Sequence, residues 1–246
     1  MTLLGALLAI VVGVTLGLFG GGGAVLTVPI FVYALDVPDK SAIPMSFVVI
    51  GTASAIGAVD RWRTKQLDPR RGIWIGIATV LGAFGGARVG AVLNDRVQLT
   101  LFGTAVVIAA FSLLRSAAQP DGARTRPPPA VTAAVFALIG GFTGMVGVGG
   151  GFLFVPALVT LGGVPMLEAT GLSLMVIAMN ASAALAGYVG RIAIDWNLSL
   201  AFAGVVVLAM LPAGAIAPKV PVAALKRAFA VVLIVVGTLV VFENLR

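Results

Sequence analysis

"GLFGGGGAVLTVP", residues 17–29, places four consecutive glycines, Gly20 to Gly23, inside an apolar stretch that a membrane helix would otherwise cross unbroken. Glycine in a helix interior costs about 1 kcal/mol relative to alanine, so the run marks a break. The apolar pieces flanking it, residues 3–16 and 24–35, are each too short to span alone, because about 20 helical residues are needed to cross the hydrocarbon. Together with the break they are too long for one upright helix.

The same pattern returns as "GMVGVGGGFLFVP", residues 144–156. An ungapped displacement of 127 positions carries Gly17, Gly20, Gly22 and Gly23 onto Gly144, Gly147, Gly149 and Gly150. It carries Leu26, Val28 and Pro29 onto Leu153, Val155 and Pro156, and Val37 and Pro38 onto Val164 and Pro165. Ala42, Ser46 and Asp68 fall on Ala169, Ser173 and Asp195 in the same register. Matches among apolar letters arise easily by chance; a Gly, Pro, Ser and Asp set in one register does not. The chain therefore divides into a first repeat, 1–118, a Pro-, Gly- and charge-rich linker, 119–129, and a second repeat, 130–246. Duplication of this kind is typical of secondary transporters, whose site lies where the repeats meet.

Composition sets the class. Hydrophobic residues make up 60% of the chain and charged ones 10%, with a mean hydropathy of +1.13, whereas a soluble domain is about a quarter charged. The expected fold is an all-α, multi-pass membrane protein. Each repeat is expected to hold a glycine-broken segment, residues 3–35 and 130–161. Three spans follow each, near 41–59, 72–93 and 97–114, then 166–189, 196–217 and 222–242. The opening residues lack the positive n-region of a secretory signal and read as part of the mature protein.

Two topologies fit. If each broken segment is a re-entrant hairpin, each repeat has three spans and the second is inverted; if it crosses once, each repeat has four spans and the two are parallel. In the hairpin arrangement Arg61, Arg63, Lys65, Arg70, Arg71, Arg115, Arg124, Arg126, Lys219, Lys226 and Arg227 share one side, leaving five cations opposite. The parallel arrangement splits the sixteen 10 against 6. Segment length favours the inverted hairpins.

The net charge of +7 sits in short loops between apolar runs, which fits membrane orientation and not nucleic-acid binding. The chain has neither Cys nor His, which removes the commonest metal ligands and nucleophiles, so no metal or cofactor is expected and an enzyme is disfavoured. The expected setting is the cell membrane, with the lipid bilayer and a small-molecule anion as partners and no nucleic acid; a homo-oligomer is compatible with the sequence but not indicated by it.

In hydrocarbon, irregular backbone survives only where protein buries it or a watery cavity meets it. Where the chain resumes as helix near Ala24 and Phe152, the first amides lack intrahelical acceptors and carry the positive end of the dipole, which suits an anion. The candidate binding residues are Gly20, Gly21, Gly22, Gly23 and Ala24 with Gly147, Gly149, Gly150, Gly151 and Phe152. The competing role is tight helix packing, the expected role of Gly13, Gly57, Gly76, Gly82, Gly90 and Gly187. Ser46 and Ser173 stand at matched positions in the next spans and could donate to the same anion or back-bond to their own helices. Asn180 and Thr52 lie about two turns deeper and are candidate path-lining groups. Arg88, inside "GGARVGAVLNDR", is a weaker gating or anion-attracting candidate, balanced by snorkelling toward the interface. Asp68 and Asp195 read as helix N-caps.

On "GLFGGGGAVLTVPI" with "VPDKSAIPMSFVVI", and "GMVGVGGGFLFVPAL" with "VPMLEATGLSLMVIAMNASAA", the chain resembles the TauE/SafE family of membrane transporters over nearly its whole length. The first motif departs slightly, having "GGGG" where the second has Gly147, a valine and three glycines. The resemblance implies export of sulfite or a small organosulfonate such as sulfoacetate; the duplicated glycine tips point to alternating access between the two halves, with the anion held between them. The alternative function is an anion channel or an accessory membrane subunit.

Overall fold

The computed structural model describes residues 3–117, 128–146, 151–160 and 163–244. Its helices are α1 (Leu3–Phe19), α2 (Thr27–Pro29), α3 (Asp39–Arg63), α4 (Pro69–Gly90), α5 (Asp95–Ala117), α6 (Pro129–Val146), α7 (Gly151–Thr160), α8 (Met166–Tyr188), α9 (Trp196–Ile216) and α10 (Val222–Asn244). A tight 3-10 stretch, Gly20–Leu26, joins α1 to α2, and a wider π turn, Ile30–Ala34, follows. Among the described residues, five segments have the length and apolarity to cross a membrane: Leu3–Ala34, Asp39–Arg63, Pro69–Gly90, Met166–Tyr188 and Trp196–Lys219. Shorter apolar helices run over Arg96–Phe111, Ala130–Val146 and Arg227–Val240. The protein is an all-helical, multi-pass membrane protein.

Local chemistry sets the helix starts. The Asp68 carboxylate accepts from the Arg70 amide at 3.0 Å ahead of Pro69, whose fixed φ suits a first helical position. Asp195 accepts from the Leu198 amide at 2.9 Å and caps α9. Pro38 and Pro165 stand before α3 and α8 with φ of −53° and −55°. Helices beginning at Asp39, Pro69 and Asp95 recur at Met166, Trp196 and Val222, each 127 residues on.

Lipid is as apolar as a side chain, so membrane helices associate through close backbone approach more than through water exclusion. Glycines supply that approach. A β-carbon on Gly13 would lie 2.4 Å from the Val206 carbonyl, and one on Gly17 would lie 2.3 Å from that of Met210, so α1 runs parallel to α9. On Gly82 and Gly90 it would meet the carbonyls of Ala137 and Met145 at 2.1 and 2.3 Å, so α4 runs parallel to α6. The central pair is opposite in sense: Phe47 packs on Tyr188, Gly51 faces Ala181, and Gly57 faces Leu174, so α3 and α8 are antiparallel.

In both glycine-broken segments, residues lie closer together than a continuous helix allows. Phe136 of α6 and Phe154 of α7 stack with centroids 6.1 Å apart, whereas a continuous helix would separate them by about 27 Å. In the first segment a β-carbon on Gly23 would lie 2.3 Å from the Leu16 nitrogen. Seven helical residues would place these groups about 10 Å apart.

Candidate functional site: the glycine turn

Gly20 begins the turn with φ +66°, the left-handed conformation that favours glycine. It presses on α8, where an added β-carbon would stand 2.5 Å from the Thr170 carbonyl and 2.8 Å from Ser173 Oγ. Gly21 donates its amide to Ser173 Oγ at 3.2 Å, and that hydroxyl donates to the Thr170 carbonyl at 2.9 Å. Ser173 is fully buried and is used as both acceptor and donor.

Gly21 also meets the second glycine-broken segment. A β-carbon on Gly151 would fall 1.8 Å from the Gly21 carbonyl oxygen, and one on Gly21 would fall 2.5 Å from Gly151 Cα. The two backbones are in direct contact. Gly22 lies against the Phe229 ring, which stacks on Phe19 at 5.2 Å, and Ala24 is buried behind the turn. The four glycines thus meet α8, then α8 and α7 together, then α10, then α1. Gly147, Gly149 and Gly150 lie outside the described residues, as does the side chain of Phe152.

The other candidates are dispersed. Ser46 Oγ donates to the Ile43 carbonyl at 2.7 Å within α3. Asn180 is buried and donates through Nδ2 to Thr143 Oγ1 at 3.2 Å, tying α8 to α6, while its Oδ1 has no partner. Thr52 is exposed on α3. Arg88 is exposed in the last turn of α4 with its guanidinium 4.9 Å from the Phe84 ring centre, a cation–π contact.

Two buried polar groups that the sequence reading passed over hold the helix ends that enter the glycine breaks. Arg61, only 2% exposed, donates from Nη2 to the Gly17 carbonyl at 3.1 Å and from Nη1 to Gln66 Oε1. Tyr188, fully buried, donates to the Met145 carbonyl at 3.1 Å and the Gly144 carbonyl at 3.4 Å, and accepts from Gln98 Nε2 at 3.1 Å. Arg61 and Tyr188 are 127 positions apart, as are Gly17 and Gly144. In the sequence Arg61 reads as a loop cation because the apolar run ends near residue 59, yet α3 continues through Arg63. Its place four residues after Gly57, on the glycine-bearing face, was the available signal.

Residues 5–240 match the family described as Sulfite exporter TauE/SafE. A probable membrane transporter protein of Xylella fastidiosa strain 9a5c is 29% identical over 196 residues, covering 78% of this chain and 75% of that protein. Another from strain Temecula1 is 28% identical over 202 residues, with the same coverage. A probable membrane transporter protein of Methanocaldococcus jannaschii is 28% identical over 185 residues, 72% of this chain and 68% of that one. No solved structure matches the chain.

Proposed function

The chain belongs to the sulfite exporter TauE/SafE family of membrane transporters, and from that premise we propose that it is a secondary transporter that carries a small sulfur-containing anion, sulfite or an organosulfonate, out of the cell. The observation that carries this proposal is the backbone contact between Gly21 and Gly151, which joins the glycine turn of one half to the resumed helix of the other.

The halves are inverted repeats, each a re-entrant hairpin plus three spans. Support comes from the constant 127-residue spacing of helix starts and from the stacked Phe136 and Phe154 on either side of the second break. It comes also from the antiparallel pairing of the equivalent helices α3 and α8. A two-fold axis along the helices would make equivalent partners parallel, and the antiparallel pair supports an axis across them, lying in the membrane plane. The α3–α4 and α9–α10 loops then share the basic, cytoplasmic face of the cell membrane.

In the arrangement described, the Gly21 amide is engaged by Ser173 and its carbonyl abuts Gly151, so the contact is a closed gate. Transport requires the halves to part there, exposing the Gly21 amide and the dipole of α7 to an anion that replaces the Ser173 hydroxyl. An anion leaving a cell that is negative inside moves downhill by about 2.3 kcal/mol per charge per 100 mV, and that supplies the drive. The test is efflux of labelled sulfite and sulfoacetate from proteoliposomes under an imposed potential. Efflux of at least one, accelerated by a negative interior, is expected. Indifference to potential contradicts the electrogenic mechanism, and bursts far above carrier rates would make the protein a channel.

A further inference from the structure

We propose that Arg61 forms an anion-capture subsite on the basic face, for a small sulfonate or sulfur oxyanion, between α1, α3 and α9. The subsite rests on the transport function proposed above and adds the group that first binds the anion.

Arg61 is buried at the end of α3 and has only neutral acceptors, the Gly17 carbonyl and the Gln66 amide oxygen. Among the described residues it forms no ion pair. Burying a cation with no carboxylate hydrogen-bonded to it costs several kcal/mol, offset in part here by the neighbouring Asp60 charge, and such groups inside membrane proteins mark ligand paths. The guanidinium has more N–H donors than these two acceptors use, in a planar fork that matches an oxyanion. It stands in a slot left open by small residues: a β-carbon on Gly214 would lie 3.4 Å from Nη2, and Gly17 and Gly57 line the same space.

That space borders a groove. A cavity of about 10 Å³ beside Arg61, room for roughly one water, shares Asp60 and Leu211 with a groove of about 380 Å³ lined by Ala55, Ile56, Val59, Asp60, Arg63 and Leu211. Arg63 gives the groove mouth a second cation and Asp60 a single opposing charge. An anion entering here competes with the Gly17 carbonyl for Arg61. Gly17 is three residues from the left-handed Gly20, so capture loosens the α1 end that carries the glycine turn. The equivalent group in the other half is Tyr188, which is neutral and has its hydroxyl engaged by Gln98 and Met145. A loading site on the basic face suits export.

The chain has no cysteine, so Val59→Cys introduces a single thiol in the groove. In phosphatidylcholine nanodiscs, sulfoacetate is expected to slow N-ethylmaleimide labelling of this thiol at least fivefold. Adding Arg61→Gln is expected to raise the protecting concentration at least tenfold, and Arg61→Lys to restore it to within threefold, which a purely structural cap of Gly17 would not do. Protection that ignores Arg61→Gln, or no protection by sulfoacetate or sulfate, overturns the subsite. If Arg61→Gln does not fold, Arg61→Lys decides: protection displaced more than tenfold by the retained charge overturns it. Slow labelling in phosphatidylglycerol nanodiscs without added anion, unaffected by sulfoacetate, would assign Arg61 to a lipid phosphate and overturn it as well. Arg61-dependent protection in a protein that moves no anion would sink the transport function and leave the subsite standing.

Discussion

Gly21→Ala adds one methyl at the closest approach of the two glycine-broken segments. Its β-carbon would lie 1.8 Å from Ile177 Cδ1 and 2.5 Å from Gly151 Cα. The isoleucine terminus can swing away by a rotamer change, but Gly151 Cα is backbone. Carbon atoms settle at about 3.5–4.0 Å, so the two segments must separate by about 1 Å. Overpacking of this kind costs about 1–3 kcal/mol, and the cost falls on the closed arrangement. Moving the segments also strains the 3.2 Å bond from the Gly21 amide to Ser173. The expected result in proteoliposomes is sulfoacetate efflux changed at least tenfold, with a lowered thermal midpoint and undiminished insertion. Gly85→Ala and Gly204→Ala are the controls, because an added β-carbon at either meets nothing within 4 Å; both should keep parental efflux and gain up to about 1 kcal/mol of stability from the better helix former. Parental efflux and stability for Gly21→Ala would refute the backbone contact and the gate built on it.

Ser173→Ala leaves the buried Gly21 amide without its acceptor, at a cost of about 1–3 kcal/mol, and is expected to lower the thermal midpoint and slow efflux. Tyr188→Phe removes the hydroxyl that bonds Gln98 and Met145; a loss of about 1–3 kcal/mol is expected in denaturation, with sulfoacetate protection at the Arg61 subsite unchanged. Asp195→Ala deletes the α9 cap and should cost about 0.5–2 kcal/mol while leaving the anion concentration for half-maximal efflux within twofold.

Much of the scaffold is visible in the sequence because its punctuation is chemical. Pro38, Asp68, Pro165 and Asp195 act through their own backbone or the next turn, so their positions locate helix starts without knowledge of the partners. The glycine runs locate the breaks for the same reason: weak helix propensity is local. Long-range pairings were not legible. That Gly21 would donate to Ser173, 152 residues away, depends on how the halves meet. Ser46, its matched residue, donates to the carbonyl three residues back in α3, just as Ser173 does in α8. Asn180 carried no sign that its amide would be spent on Thr143. Arg61 was hidden because hydropathy averages over all faces of a helix, and one cation near a helix end looks like a loop residue until the face it presents is known.

The central claim is that two halves meeting at the glycine turn must move relative to one another for an anion to pass. Gly51 and Ala181 stand opposite each other on antiparallel α3 and α8, with an added β-carbon 3.3 Å from the Ala181 methyl, close to the spacing of roughly 3.5–4.5 Å that a disulfide requires. In this cysteine-free chain, Gly51→Cys with Ala181→Cys gives a reversible lock, and sulfoacetate is the substrate to use because sulfite would cleave the bond. Oxidation is expected to form the cross-link and reduce efflux at least tenfold, with recovery on reduction. A fully cross-linked protein that transports at the parental rate would contradict the account.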